Sequence, residues 1–252
     1  MQRAGWQRPI FGMWGQSWIG YYNRMLNHQL LQQWYASTTG RLLLQQEREW
    51  NGDALRPLYG MHLMQLGMAK ENFAEQAVEV HHRFVMDIGA HESHSWAVLE
   101  GDDRSLPIAT ESLSAVVLPH VLEFSDDPHQ VLREVTRVVA EDGVVVINGF
   151  SPWSLLHLRR RLGDRRYLPR RKVVEWLSLL GYELISERTL PWVGWSWRGL
   201  RFNTGCYQLV AKRRVIPVNP IHSRWRQRPA MAGNVMNRER YETCSIEDLS
   251  RK

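Results

Sequence analysis

The sequence predicts an α/β protein built on a mainly parallel sheet, and three observations carry that reading. From about Ala97 to Phe150 the chain gives an apolar run, a Leu106-Pro107 turn and an apolar strand over Leu113 to Leu118. An amphipathic helix and a further strand over Gly143 to Ile147 follow. Strands of this buried type, separated by a helix, belong in a sheet covered on both faces. Upstream, a strand-like run over Gly60 to Gly67 is followed about twenty residues later by Asp87, the spacing of a strand–helix–strand unit. Downstream, a helix stops at Gly181 and two more strand-like segments follow, Tyr182 to Leu190 and Cys206 to Lys212.

Composition narrows the class. With 252 residues, 44% hydrophobic and 23% charged, one soluble domain with appendages is expected. No apolar run has the length of a membrane span, and the amino terminus lacks the pattern of a signal peptide. Cys206 and Cys244 give neither a disulfide framework nor a metal spacing. A reducing cytoplasm is therefore the expected setting, and no metal is expected. The net charge of +6 would suit nucleic acid or an anionic membrane surface, so its location matters. It concentrates in a basic run from Arg159 to Lys172, with Tyr167 inside it and Trp153 upstream. Guanidinium groups contact phosphates and aromatic rings stack on bases, so a nucleic acid such as tRNA is one candidate partner. A solvated amphipathic helix and docking on anionic lipid are the competing readings.

Three regions are expected: an irregular tail over residues 1–21, a main domain over 22–213 and a basic tail over 214–252. In the main domain, Leu26, Leu30, Leu31 and Trp34 give one apolar helical face, and Thr38-Thr39-Gly40 interrupts a helix that resumes toward Trp50. Ala69 to Val80 reads as a helix, His82 to Met86 as a short strand and Gly89 to Ser95 as a polar loop. Asp127-Pro128 is an ordinary helix start. Arg133 and Arg137 share what reads as a solvated face. The aromatic loop Trp192 to Trp197 fits either a pocket cap or core packing.

These segments resemble one family in register. Gly101-Asp102-Asp103-Arg104-Ser105-Leu106-Pro107-Ile108 is similar to its "Gly-Asp-Ala-x-x-Leu-Pro-Phe" strand end. Val131-Leu132-Arg133-Glu134-Val135-Thr136-Arg137-Val138 is similar to its "vLrEvxRvL" helix, and Glu141-Asp142-Gly143 to the turn that follows. The family is the class I S-adenosylmethionine-dependent methyltransferases. The stretch from Leu118 to Arg161 is most similar to a bacterial branch with the pattern "LPHvLEF…DPHqvLREveRVL…GFNPwSL". The resemblance implies a three-layer Rossmann-like fold whose seven-stranded sheet has its last strand antiparallel. It implies S-adenosylmethionine as cofactor and methyl transfer to an acceptor that the sequence does not name.

The family's glycine-rich signature is reduced here to Gln65-Leu66-Gly67, whose backbone the resemblance assigns to the methionine side of the cofactor. Asp87, at the end of the second strand, corresponds to the carboxylate that meets the ribose hydroxyls. Asp102 corresponds to the acceptor for the adenine amino group, against the bland reading of a solvated loop acid. Asp103 is plain loop or a donor of one backbone N–H to the adenine edge. His120, at the fourth strand's end, stands where the acceptor would approach, and it is a candidate general base or a wall of the cofactor pocket. A packed or capping imidazole is the alternative, and Glu123 is the second candidate for chemistry. The rival to an enzyme is a non-catalytic scaffold or nucleic-acid adaptor whose cofactor motif has eroded.

Overall fold

The computed structural model describes residues 29–77, 79–88, 96–151, 168–190 and 205–214. Within them lie seven strands: β1 Gly60–Leu66, β2 Val80–Asp87, β3 Ala97–Glu100, β4 Leu113–Pro119, β5 Val139–Phe150, β6 Tyr182–Thr189 and β7 Cys206–Arg213. They form one sheet in the order β3-β2-β1-β4-β5-β7-β6. The first five pair parallel, and β7 runs antiparallel to both β5 and β6. The order turns around at β1 and β4, so the sheet has a switch point where a ligand crevice forms at the carboxyl ends of the strands.

Residues 29–35 are the described part of a first helix, α1, and α2 spans Thr38–Leu55. The break between them is at Ala36 and Ser37, ahead of the expected Thr38-Thr39-Gly40, which form the first turn of α2, and the capping hydroxyl is that of Ser37. Its Oγ accepts from Gly40 N at 3.1 Å, and the helix continues past Trp50 to Leu55. The next helix, α3, spans Pro128–Val138 and starts on Asp127, whose carboxylate accepts from Gln130 N. Proline at the first position costs nothing, because its missing N–H would have no helical partner there. Val131, Leu132, Val135 and Val138 turn the buried face of α3 to the sheet. A fourth helix, α4, spans Arg170–Leu179.

The sheet separates two apolar clusters. One joins Met64, Leu66, Val116, Leu118, Val145 and Ile147 to the buried faces of α3 and α4. The other joins Leu63, Ala115, Val117, Val146 and Phe150 to Leu31, Tyr35, Leu44 and Leu55 of α1 and α2. Alternation along β1, β4 and β5 sends successive side chains to opposite layers, which yields three layers.

Two expectations are corrected. Residues 69–80 are not a helix: their described part is a series of turns that enters β2 at Val80. β5 begins at Val139, four residues before Gly143, with a register irregularity between Leu113 and Ala115 of its partner. The tails, the loops 89–95 and 191–204, and the basic run as far as residue 167 lie outside the described residues. Of that run, Arg170 pairs with Glu187 and Lys172 lies over the Trp176 ring at 5.2 Å. Among the described residues no helix is long and apolar enough to cross a membrane.

Replacing Asp127 by Ala removes the cap of α3 and lowers stability by about 1 kcal/mol. A urea titration should show an earlier midpoint with an unchanged slope.

Candidate active site

The carboxyl ends of β1, β2 and β3 lie side by side. Gly67 N donates to Met86 O at 2.6 Å, and Gly101 N donates to Asp87 O at 3.2 Å. Gly67 (φ 79°) and Met68 (φ 56°) both take the left-handed conformation, so the chain turns sharply as it leaves β1. Glycine does this freely; methionine pays strain.

What holds the turn is Gln65. Its amide is fully buried: Nε2 donates to the carbonyls of Gly67, Met68 and Glu71, and Oε1 accepts from Phe73 N. The segment's main-chain groups are thus met by one side chain instead of a helical ladder, which explains the missing helix. Gln65 and Leu66 are themselves strand residues paired with β2, and Leu66 points into the α3-side core. These two positions shape the turn from beneath.

Asp87 is buried at 2% exposure, with Oδ2 accepting from Ala69 N and Oδ1 from Ile88 N. It ties the end of β2 to the loop after β1. Beyond β3, Asp102 is half exposed. Its carboxylate accepts from Arg104 N and forms an ion pair with the Arg104 guanidinium at 3.2 Å. Asp103, read from sequence as the lesser of the pair, is the buried one. The loop is clamped from α3: Glu134 accepts from Leu106 N, while Arg137 donates to Leu106 O and Ile108 O, both at 2.8 Å. The Arg137 guanidinium holds the Glu134 carboxyl below its ordinary range. Arg137 is thus a clamp on the Asp102 loop and not merely a solvated charge. At Gly101 a Cβ would meet Met86 Sδ at 3.0 Å, so the loop lies close over β2 and a side chain there would push the Met86 thioether aside by a few tenths of an ångström.

At the end of β4, His120 is fully buried with φ 55°. Its Nε2 lies 2.9 Å from Glu47 Oε1, and its Nδ1 lies 3.4 Å from Glu123 Oε2. The ring stacks on Phe150 with centroids 3.9 Å apart. Tyr35 donates to Glu47 Oε2 at 2.8 Å, and Phe150 N donates to Glu123 Oε1. Burial alone would drive the imidazole's proton off. The attraction of Glu47 and Glu123 outweighs that and raises its pKa to about 10. An imidazole that holds its proton between two carboxylates has no lone pair to take another, which is the arrangement of the packed, paired imidazole that the sequence set beside a general base. Burial, reinforced by Glu47, pushes the Tyr35 hydroxyl and the Cys206 thiol well above their ordinary values.

A cavity of about 730 Å³ opens between α1, α2 and the loop after β1, lined by Gln29, Gln32, Arg48, Lys70, Asn72 and Glu75 among others. Arg48 bridges it to Glu71 at 2.9 Å. Two of its polar atoms, Gln32 Oε1 and Arg48 Nε, are buried with no hydrogen-bond partner among the described residues.

A family model described as a methyltransferase domain matches residues 60–147, the span from β1 through most of β5. The uncharacterized protein YafS of Escherichia coli is 31% identical over 181 residues, covering 65% of this chain and 74% of that protein. The chain belongs to the methyltransferase domain family. Its fold is that of the class I, S-adenosylmethionine-dependent enzymes. The malonyl-[acyl-carrier protein] O-methyltransferase of Haemophilus ducreyi is 32% identical over 81 residues, 32% of this chain and 31% of that one. A solved S-adenosylmethionine-dependent methyltransferase of Thermotoga maritima superposes with a TM-score of 0.56 at 14% identity. That match covers 77% of this chain and 98% of the other, a likeness of fold alone.

Sequence reasoning placed Gln65, Gly67, Asp87, Asp102, Asp103, His120 and Glu123 on one edge of the sheet. It missed Gln32, Tyr35, Glu47, Arg48 and Asn51, which α1 and α2 bring to that edge. A signal existed: Leu44, Glu47, Asn51 and Leu55 follow helical spacing, so Glu47 and Asn51 are polar residues on a buried stripe. Buried polar side chains of this kind mark sites or networks.

The imidazolium gives a pH dependence of defined sign. Its pKa is raised on folding, so its stabilisation is present in full below the ordinary value of 6.5 and is lost as pH rises through about 10. Thermal unfolding followed from pH 6 to pH 10.5 should show a declining midpoint, about 2–4 °C for each kcal/mol lost in a chain of this size. The decline should be smaller in His120→Gln.

Proposed function

We propose that the protein transfers a methyl group from S-adenosylmethionine to an acceptor, with the cofactor held along the carboxyl ends of β1 to β3. The observation that carries this is the pair of buried, unmatched atoms beside the turn after β1: an acceptor, Gln32 Oε1, and a cationic donor, Arg48 Nε. An amino-acid end with its ammonium and carboxylate is the complement of that pair. An uncompensated buried polar atom costs about 1–3 kcal/mol, so a ligand that meets both gains affinity there.

The remaining residues fit the rest of the molecule. The tight turn at Gly67 brings the backbone of Ala69 to Asn72 to the cavity wall. Asp87, which ties the end of β2 to the loop after β1, stands at the strand end where the ribose hydroxyls would lie. Asp102 and the main chain of Asp103 stand at the next strand end for the adenine edge, steadied by Glu134 and Arg137. When bound, the cofactor supplies a methyl group activated by its sulfonium. The chain's own part is to place that methyl in line with an acceptor and to exclude water. The acceptor approaches the ends of β4 and β5, where His120, Glu123 and Phe150 stand. His120 serves there as a fixed cation in the wall of the site.

Calorimetric titration of the full chain with S-adenosylhomocysteine should give one saturable site. Arg48→Ala and Asp102→Ala should each weaken it roughly tenfold or more, as expected for a charge-assisted hydrogen bond of about 1.5–3 kcal/mol. An unsaturable wild-type titration at millimolar ligand would remove the methyl-transfer reading and favour a non-catalytic scaffold.

A further inference from the structure

The loop that leaves β1 lies between two supports. Gln65 shares a face of β1 with Leu63, so its side chain rises from the sheet under the loop, toward the layer of α1 and α2. From the other side, α2 meets the loop through Asn51, which donates to Phe73 O at 2.9 Å, and through Arg48, which pairs with Glu71. Gly52 lies so close to Gln76 that a Cβ there would meet Gln76 Oε1 at 1.8 Å. The cavity opens on this α1 and α2 side of the loop.

Gln65 orients the loop's peptides. In a trans peptide the carbonyl and the following N–H point in opposite directions. Gln65 Nε2 meets the Met68 carbonyl at 3.1 Å, and the N–H of that same peptide, on Ala69, goes the other way to Asp87 Oδ2 at 2.9 Å. Nε2 also meets the Glu71 carbonyl, at 2.8 Å. The N–H of that peptide, on Asn72, is thereby turned away from Gln65, toward the cavity that Asn72 lines. It donates to nothing within the described residues. Gln65 Oε1 meanwhile accepts from Phe73 N at 2.9 Å, which keeps the next N–H inside. The amide thus sorts the loop's polar groups. Carbonyls face in, and a donor faces the cavity that also holds the buried, unmatched Gln32 Oε1 and Arg48 Nε. An amide donates and accepts at one end, whereas a carboxylate only accepts and an apolar side chain does neither.

We propose that Gln65, given the function proposed above, is a positioning residue for the methyl donor: through the loop's main chain it sets the Asn72 N–H against the donor's amino-acid end. Gln65 touches no ligand itself. Its effect on affinity passes entirely through the peptides it holds.

Calorimetry with S-adenosylhomocysteine on the full chain tests this, with Gln65→Glu as the informative variant. Its carboxyl has the length and nearly the volume of the amide. Ionised, it offers the three carbonyls no proton; protonated, it donates to one of them again. Set among carbonyl oxygens in the interior, it holds its proton above the ordinary carboxyl range, so the native arrangement returns as pH falls. Gln65→Glu should bind about tenfold more weakly than wild type at pH 8.5, and the ratio should close to about threefold at pH 5.5. Gln65→Met, with no proton to gain, should bind about tenfold more weakly at both. A residue that only supported the fold would lower the unfolding midpoint and leave the affinity of the folded protein unchanged. Variants within about twofold of wild type at both pH values therefore overturn the proposal. If neither variant folds, amide hydrogen exchange in the wild type decides. Saturation with S-adenosylhomocysteine should slow exchange at Phe73 N more than at Leu58 N, a turn amide bonded to Leu55 O just past α2, because ligand and loop are coupled in both directions. Equal slowing at the two overturns it. A wild type with no saturable site removes the methyl-transfer reading and this proposal with it, whereas binding that ignores residue 65 removes this proposal alone.

Discussion

Glu47 and His120 lie 2.9 Å apart with no exposure on either side chain, and this pair joins the amino-terminal helices to the parallel sheet. A buried ion pair is a poor source of net stability, because desolvating the two charges offsets most of their attraction. It is a strong constraint, however. Removing one partner leaves the other uncompensated, at a cost of roughly 3–5 kcal/mol. α2 is thus fixed in rotation and height relative to β4. Asn51, one turn further along α2, donates to Phe73 O and accepts from Gln208 Nε2. These contacts seat the helix on both the turn after β1 and strand β7. Arg48, between them in sequence, reaches Glu71 from the adjacent face.

The same economy of side chains governs the turn after β1. The family's signature places several glycines there, where the backbone turns and then enters a helix. Here one glycine makes the turn with Met68 in strain, and Gln65 occupies from below the carbonyls and N–H that a helix would have satisfied. Asp87 completes the arrangement by accepting from Ala69 N. The reduced motif is therefore replaced in geometry. The loop still lies against the end of β2, and its outer face still borders a cavity of about 730 Å³.

The strands were legible because each is a compact apolar run bounded by turn residues, and six of the seven begin or end within two residues of the sequence reading. β5 is the exception. Its first residues, Val139 to Asp142, include two exposed acids and pair with β4 through an irregular register, so they carry no apolar signal. The false helix over 69–80 came from Ala, Glu and Gln, which favour helix when nothing else competes. What competes is the Gln65 amide, a tertiary effect that local propensity does not register. The acidic pair shows another limit. Position in the motif singled out Asp102, yet Asp103 is the buried member. Whether a loop carboxylate turns inward depends on how Gly101 and the α3 clamp set the chain. For His120, its location at a strand end was readable and its protonation was not. Protonation depends on Glu47, seventy-three residues away in the chain.

The missing helix and the polar stripe of α2 are connected. A sheet face needs cover, and the face carrying Leu63, Val117 and Val146 is packed by Leu31, Tyr35, Leu44 and Leu55 together with Phe73 and Ala77. With no helix after β1 in the described residues, α1 and α2 supply most of that cover, so they sit directly above the ends of β4 and β5. A helix placed there can be wholly apolar and serve packing alone. α2 instead carries Glu47 and Asn51 on its buried side, against a sheet that answers with His120 and Gln208. Apolar residues of similar volume would pack as well and avoid the desolvation. What the polarity secures is position: each buried polar group on α2 has one partner on the sheet, and leaving either unmet in the interior is costly, so the helix settles over the strand ends in a single register.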